Sequence, residues 1–179
     1  MTEHYHIILE TKHLILRHQV LEDLDALWAL YRDPEITKYI PDAPRSYQDA
    51  RDELEWHMHG HPAYPELGLW ATIDKETGQF IGRCGLLPWT IDGQREVEVA
   101  YTITRDRWGQ GLGSEAAQGI LDYGFQKLSL SRLICLIDPE NIASQRVAEK
   151  IGMTLERKVD GIDGDHYPTL IYSIGAQGR

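Results

Sequence analysis

The stretch 97–153 constrains the fold more than any other part of the chain. Within Val97–Ile103, β-branched and aromatic residues at odd positions alternate with polar or small ones, which predicts a strand with two different faces. The turn W-G-Q-G-L-G follows, and beyond it apolar residues recur at spacings of three and four. This second pattern predicts a helix from Gly113 to about Lys127. A strand therefore enters a helix through a glycine loop.

The glycine loop has the composition of an anion site. Gly109, Gly111 and Gly113 allow the backbone to turn sharply and to approach a bulky group. The amides from about Gln110 to Ser114 can then converge on a phosphate or pyrophosphate, aided by the positive end of the helix dipole. The same three glycines would also serve a strand-to-helix turn that binds nothing, and the spacing alone leaves both readings open.

A dinucleotide site is one alternative for this loop. The letters G-L-G-S-E-A at Gly111–Ala116 fit the dinucleotide-binding pattern, and Asp138 ends the next apolar run where a ribose-binding acid would stand. However, the glycines begin several residues after Ile103, a long segment precedes them, and a short tail follows Asp138. A doubly wound sheet needs more βα units than that tail can supply, which disfavours a nicotinamide-dependent oxidoreductase.

The remaining patterns indicate a mixed α and β domain. Ser46 and Asp49 form a candidate capping box for a helix, and residues 74–78 have the composition of a hairpin turn. Residues 160–165, D-G-I-D-G-D, are rich in turn formers. The predicted helices span 21–32, 46–58, 113–127 and 144–151, and the predicted strands span 14–17, 67–73, 80–87, 97–103, 133–137, 154–159 and 169–174.

Composition predicts a single domain over residues 1–179, a length that can bury a sizeable core. The formal charge of −10 argues against nucleic-acid binding and suits a cationic amine. No apolar run is long enough to span a membrane, and the first residues lack the basic start of a secretory signal. We therefore expect no membrane partner and a cytoplasmic location, and the chain is expected to be a monomer or a homodimer.

Cysteine and histidine do not indicate a metal or disulfide site. Cys84 and Cys135 both lie inside apolar strand-like runs, where each is expected to be a small buried hydrophobe. Three histidines alternate in His57-Met-His-Gly-His61, but no cysteine or nearby ordered acid completes a ligand set. We expect no bound metal.

Three motifs in the constraining stretch are similar to one known family. The motifs are E-V-A-Y at Glu98–Tyr101, R-D-R-W-G-Q-G-L-G-S-E-A at Arg105–Ala116 and N-I-A-S-Q-R-V-A-E-K-I-G-M at Asn141–Met153. They follow one another in the order that the family has. They resemble the GNAT superfamily of N-acetyltransferases, and within it the branch of the ribosomal-protein N-terminal acetyltransferases, the RimJ/RimL type. Leu14–Arg17 and Phe80–Leu86 also resemble strands of that family.

The resemblance implies a fold and a cofactor. It implies a mixed, mostly antiparallel sheet of about six to seven strands flanked by about four helices, with a splayed pair of strands at the cofactor site. Acetyl-CoA would be the acetyl donor and an amine the acceptor. The implied cofactor-binding residues are Tyr101, Thr102, Ile103, Trp108, Gly109, Gln110, Gly111, Leu112, Gly113, Ser114, Asn141 and Ser144.

Amine acetylation needs a base, because only the unprotonated amine attacks, and an acid for the departing thiolate. Glu98 is the candidate base, although a glutamate flanking a strand can also be merely solvated; Glu96 is the substitute. By resemblance Ser144 is the candidate acid, although Asn141 or Ser144 could simply cap a helix. Glu115, in the first helical turn, is expected to stabilise that helix end.

The acceptor site is expected in the first half of the chain, at the end of the third strand and in the last hairpin. Its candidate aromatic residues are Tyr39, Trp70, Trp89 and Tyr167, each of which could instead be core or rim packing. The leading hypothesis is an N-acetyltransferase for a primary amine, either a protein N-terminus or a small molecule. An acyl-CoA-binding regulatory module without catalysis is the alternative.

Overall fold

The structure, a computed structural model, describes residues 5–162 and 164–176. Asp163, within the predicted turn 160–165, lies outside the described residues, as do residues 1–4. The strands are β1 (Ile7–Glu10), β2 (Leu14–Arg17), β3 (Gly68–Asp74), β4 (Phe80–Ile91), β5 (Gln94–Ile103), β6 (Arg132–Ile137), β7 (Thr154–Val159) and β8 (Thr169–Gly175). The α-helices are α1 (Leu24–Tyr31), α2 (Pro34–Thr37), α3 (Tyr47–His57), α4 (Leu112–Gln126) and α5 (Ile142–Lys150).

All eight strands form one sheet in the order β1-β2-β3-β4-β5-β6-β8-β7. Neighbouring strands within the described part of the chain are antiparallel except β5 and β6, which are parallel. Helix α4 supplies the crossover between those two strands, as a parallel pair requires. The mixed, mostly antiparallel sheet of the sequence analysis is confirmed, and a doubly wound parallel sheet is excluded.

The two faces of the sheet carry different helices. Helix α4 covers one face, where its buried side chains and those of β4, β5 and β6 form the main core. Helices α1, α2 and α3 form a second, smaller core on the other face. Because Arg83, Leu87, Glu98 and Ala100 share the α1–α3 face, that face carries polar side chains over the centre of the sheet.

The described residues form one strand and one helix more than the sequence analysis predicts. The sheet has eight strands because the short edge strand β1 adds to the seven expected. A fifth helix, α2, begins at Pro34, just after the end of the predicted helix 21–32. Asp33 accepts a hydrogen bond from the Glu35 amide (3.0 Å), and proline suits the first helical position because its missing N–H would have no partner there.

The local predictions elsewhere are close to the structure. The Ser46 side chain caps α3 by accepting from the Asp49 amide (3.1 Å), while the Asp49 carboxylate reaches the Arg45 amide rather than that of Ser46. Both cysteines are buried and unpaired, as expected. Across the described ranges, no helix is long and apolar enough to cross a membrane.

Candidate active site

Strands β5 and β6 part from each other in the middle of the sheet. A single register pair, Glu98 with Ile134, joins them, and β5 continues to Ile103 without pairing to β6. The Val99 carbonyl faces the gap and accepts from the Cys135 thiol (3.3 Å), and the Ile103 carbonyl accepts from the Trp108 indole (2.7 Å). At these two carbonyls, a side chain therefore supplies the hydrogen bond that a neighbouring strand would otherwise donate.

The backbone of Tyr101 lies between those two carbonyls. Residues two apart in a strand direct their backbone groups to the same side, so the N–H and C=O of Tyr101 face the same gap. Within the described part of the chain no strand pairs with Tyr101 on that side, because the β5–β6 ladder consists of Glu98 and Ile134 alone. An extended amide-containing chain laid in the gap would satisfy both groups, as an added strand does.

The glycine loop leads from β5 into α4. Gly109 (φ 74°) and Gly111 (φ 78°) adopt left-handed backbone conformations that favour glycine, and Gly111 is the N-cap of α4. No hydrogen bond within the described ranges uses the amides of Leu112, Gly113 or Ser114. Three free amides and the positive end of a 15-residue helix thus meet beside the gap, which fits a pyrophosphate.

Asn141 and Ser144 stand at the start of α5, on the other side of the gap. The Asn141 Oδ1 accepts from the Ser144 amide (3.1 Å), so Asn141 caps the helix while its side-chain N–H₂ stays available to a ligand. The Ser144 carbonyl accepts from the Tyr101 hydroxyl (2.9 Å), which ties α5 to β5. The Ser144 side chain also lies within hydrogen-bonding reach of the Tyr101 hydroxyl.

Glu98 lies where the two strands part, on the face of the sheet that carries α1–α3. Its Oε2 accepts from the Trp89 indole (2.7 Å), and the Leu136 backbone N–H also donates to the carboxylate. Burial raises the pKa of Glu98 to about 7, against the opposing effect of these two hydrogen bonds. Near neutral pH this carboxylate exchanges a proton readily, as a general base must.

One cavity of about 1580 Å³ connects these features. It reaches from the glycine loop, through the gap, to Glu98 and on to α3 and the loop after α2. Of the residues proposed from sequence, it brings together Tyr39, Trp89, Glu98, Tyr101, Thr102, Ile103, Trp108, Gly109, Gly111, Leu112, Gly113, Ser114, Asn141, Ser144 and Tyr167.

Three sequence candidates lie elsewhere. Trp70 is fully buried in the main core, edge-on to Tyr123 of α4, so its indole is not available to an acceptor. Gln110 does not line the cavity, and its side chain donates to the Asp106 carbonyl (3.3 Å). Glu96, the substitute base, is bound to Arg132 (3.0 Å) in a separate depression.

The remaining aromatic candidates differ in what they contact. Trp89 holds the Glu98 carboxylate, so in this structure it orients the candidate base. The Tyr39 hydroxyl donates to the Glu140 carbonyl (3.2 Å) and thereby connects the loop after α2 to the turn before α5. Tyr167 is half exposed at the cavity rim. Glu115 accepts from Thr11 and from His13 and so anchors α4 to the β1–β2 turn.

Sequence reasoning missed two cavity residues, His57 and Arg83. His57 stood in the alternating histidine segment and was considered there only as a metal ligand; no group of three or more His, Cys, Asp or Glu in the described part of the chain could hold a metal. Arg83 lies within an apolar strand pattern, and no motif in the sequence identifies it as a functional residue. Both are buried, at 6% and 9% exposure, and both line the cavity.

The fold and the free amides beside the parted strands define a mixed α/β domain with a candidate anion site next to an open strand edge. The profile of the acetyltransferase (GNAT) domain matches residues 13–154. The chain belongs to the GNAT family, and the family and its N-acetyltransferase relatives identify it as an acetyl-CoA-dependent acetyltransferase.

Similar proteins agree with this assignment. The chain is 36% identical to the uncharacterized protein YkkB of Bacillus subtilis (strain 168), over 80% of this chain and 84% of that protein. It is 34% identical to the uncharacterized N-acetyltransferase p20 of Bacillus licheniformis, over 83% of each. A GNAT-family acetyltransferase structure from Bacillus anthracis superposes with a TM-score of 0.81 at 25% identity, covering 94% of this chain and 98% of that one.

The RimL branch shares the fold. The structure of RimL, the ribosomal L7/L12 α-N-protein acetyltransferase, in complex with coenzyme A gives a TM-score of 0.76 at 17% identity, covering 97% of this chain and 99% of that one. At that identity the likeness extends to the fold alone.

Proposed function

We propose that this protein transfers the acetyl group of acetyl-CoA to a primary amine by direct attack in a ternary complex, with Glu98 as the general base. The observation that carries the proposal is the Glu98 carboxylate, which combines a pKa of about 7 with a place where β5 and β6 part. The cavity joins that point to the glycine loop on one side and to α3 on the other. Both substrates can therefore reach it.

The donor is held chiefly by backbone groups in this proposal. The pyrophosphate binds the amides of Leu112–Ser114, and the pantetheine arm pairs with the backbone of Tyr101. The Asn141 side-chain N–H₂ donates to a pantetheine carbonyl while its Oδ1 continues to cap α5. The thioester then lies between Glu98 and Ser144.

The chemical step follows from this placement. A proton leaves the ammonium group of the acceptor for the Glu98 carboxylate, directly or through water. The free amine attacks the thioester carbonyl, the tetrahedral intermediate collapses, and the C–S bond breaks. The departing thiolate takes a proton from the Ser144 hydroxyl, and Ser144 regains one from the attacking nitrogen, which loses a proton as it becomes the amide. Glu98 then releases its proton to water. The products are the acetylated amine and coenzyme A.

Thiol release from acetyl-CoA tests the proposal, with a panel of small amines, N-terminal peptides and aminoglycosides as acceptors. Turnover of a primary amine that depends on Glu98 supports it. Binding of acetyl-CoA without turnover of any amine would favour the regulatory alternative, because such a module needs the donor site alone.

A further inference from the structure

A segment between α1 and α3 reaches both sides of the gap between β5 and β6. This strap, residues 33–45, contains α2 and the loop that follows it. Ile36 is buried in the smaller core with α1 and α3, and Ile40 and Ala43 pack against that core. Most residues of the strap also line the cavity. The strap is therefore attached to the acceptor side of the molecule.

Two polar contacts connect the strap to the two sides of the gap. The Oδ2 atom of Asp33 lies 3.0 Å from the Nε of Arg105, a residue that follows β5 and precedes the glycine loop. The Tyr39 hydroxyl donates to the carbonyl of Glu140, which follows β6 (3.2 Å). The strap thus contacts both of the segments that lead into the proposed donor site.

The turn that Tyr39 contacts also carries Asn141. The Glu140 amide donates to Asp138 Oδ1 (2.7 Å), and the Glu140 carbonyl accepts from the Ile142 amide (3.0 Å) as well as from Tyr39. Asn141, whose side-chain N–H₂ is proposed to bind pantetheine, follows Glu140 directly. Because one hydrogen-bonded turn holds both groups, a ligand that fixes Asn141 also fixes the carbonyl to which Tyr39 donates.

The strap brings a negative charge to the acceptor end of the cavity. Asp42 lines that cavity. Burial is the main cause of the raised pKa of Glu98, and the charge of Asp42 adds to it, so the two carboxylates lie near each other. An ammonium group at Glu98 would be attracted by both. The position of the strap therefore affects how tightly a cationic amine binds.

We propose that the Tyr39 hydroxyl couples the two substrate sites, so that bound donor holds the strap in the position that binds the acceptor. This inference rests on the proposed function, since it takes Asn141 as a contact of the donor. A ligand shifts a conformational equilibrium only by its difference in affinity for the two states, and the resulting coupling is reciprocal. Tyr39 is therefore a positioning residue, which acts on the acceptor through the strap.

Hydrogen–deuterium exchange tests the coupling with coenzyme A as the probe, so the test needs no acceptor. Tyr39→Phe removes the hydroxyl and keeps the ring, over which Lys38 lies (5.1 Å). Tyr47→Phe is the matched control, because it removes an exposed hydroxyl that donates to Asp25 (2.8 Å) and lies outside the cavity lining. Exchange of the amides in residues 38–45 is measured in wild type and both variants, with and without coenzyme A.

We expect coenzyme A to slow exchange in residues 38–45 about five-fold in wild type and in Tyr47→Phe, which is the size that one hydrogen bond allows. In Tyr39→Phe the effect should be less than about two-fold. The amides of residues 112–114 should be protected equally in all three proteins, because the pyrophosphate site does not depend on Tyr39. Equal protection of the strap in Tyr39→Phe and wild type would overturn the inference, as would a wild-type strap that coenzyme A leaves unprotected.

Steady-state kinetics over a grid of both substrate concentrations gives a second measurement with any amine that is turned over. In wild type, saturating acetyl-CoA should lower the apparent dissociation constant of the acceptor about five-fold. In Tyr39→Phe this factor should be close to one, while kcat at saturation of both substrates stays within about two-fold of wild type. A lower kcat with the wild-type factor retained would assign Tyr39 to the chemical step and overturn the coupling.

Failure of the proposed function would give a different result. If coenzyme A protects the strap through Tyr39 but no amine is acetylated, the coupling stands and the proposed catalysis fails. If amines are acetylated and the strap responds equally in wild type and Tyr39→Phe, the proposed function stands and the coupling fails. A protein that does not bind coenzyme A would overturn both.

Discussion

In the proposed function the cavity has a donor half and an acceptor half, and the two are built in different ways. The donor half, residues 97–153, offers mainly backbone groups: the amides at the start of α4 and the unpaired N–H and C=O of Tyr101. The acceptor half offers side chains from distant segments, with His57 from α3 and Arg83 and Trp89 from β4. Glu98 of β5 lies at the border between the two halves. A backbone site depends on local geometry that one continuous motif encodes, whereas the acceptor site exists only after the sheet and α3 have packed together.

The largest effect is expected at Glu98, where the two halves meet. Glu98→Gln keeps the size of the side chain but cannot accept a proton, so kcat should fall by about 10²-fold or more near neutral pH. A base with a pKa of about 7 is active when unprotonated, so wild-type activity should rise with pH through that value. A pH–rate profile of both proteins measures this, and the deficit should shrink at high pH, where the amine is already deprotonated.

Ser144→Ala is the matched comparison for Glu98→Gln. Its loss should persist at high pH, because departure of the thiolate is impaired rather than deprotonation of the amine. Wild-type rates for Glu98→Gln at every pH would remove Glu98 from the mechanism.

The second-largest effect is expected at Gly113 in the donor half, where a substitution should weaken acetyl-CoA binding while the protein still folds. Gly113 is helical, and a Cβ built on it would meet only the Ile103 side chain at 3.9 Å, so a side chain can begin here without a clash at Cβ in the free protein. Gly113→Val should nevertheless weaken acetyl-CoA binding by about 30-fold, equivalent to ~2 kcal/mol, because its methyl groups stand beside the amides that receive the pyrophosphate. Calorimetry measures the affinity, with Gly113→Ala as the intermediate step. Undiminished affinity in a folded Gly113→Val protein would place the pyrophosphate elsewhere.

The two halves also differ in how far the sequence predicts them. The helices α4 and α5 and the glycine loop could be predicted because their periodicities and motif spacings are local. The sequence indicated glycines for the loop but not their individual roles: Gly109 and Gly111 take the left-handed conformations, while Gly113 does not. The acceptor site was harder to predict, since Trp70 and Trp89 look alike in sequence and only the sheet register separates a core indole from a cavity one.

The length of the β4–β5 hairpin is a second feature that the sequence analysis did not predict. The predicted strand 80–87 stops before Pro88, yet β4 continues to Ile91. Because β3 pairs with β4 only as far as Leu86, β4 has a free edge beyond it, and a proline there removes no hydrogen bond. The Asp92-Gly93 pair, with φ of 52° and 73°, is the local signal that could have revealed the longer hairpin.

A smaller effect tests the double role assigned to Asn141. Asn141→Ala removes both the cap and the side-chain donor, and the KM for acetyl-CoA should rise about 10-fold, with ~1 kcal/mol lost from the free energy of unfolding. Asn141→Asp keeps an oxygen that caps α5 but loses the N–H₂ group. Its KM should therefore rise as in Asn141→Ala while its thermal stability stays near wild type. Steady-state kinetics and thermal unfolding decide between the roles, and a KM unchanged in Asn141→Asp would leave Asn141 as a cap alone.

The smallest effect concerns Trp89, which links the acceptor half to the base. Its indole donates to the charged form of Glu98 and so lowers the pKa of that carboxyl against the effect of burial. Trp89→Phe removes the donor and keeps an aromatic ring, so the pKa of Glu98 should rise and the acidic limb of the pH–rate profile should move to higher pH. A displacement of about half a unit, ~0.7 kcal/mol, would lower activity about two-fold near pH 7 and hardly change it above pH 9. An acidic limb at the wild-type position, or a loss independent of pH, would show that Trp89 acts on the acceptor rather than on the proton affinity of Glu98.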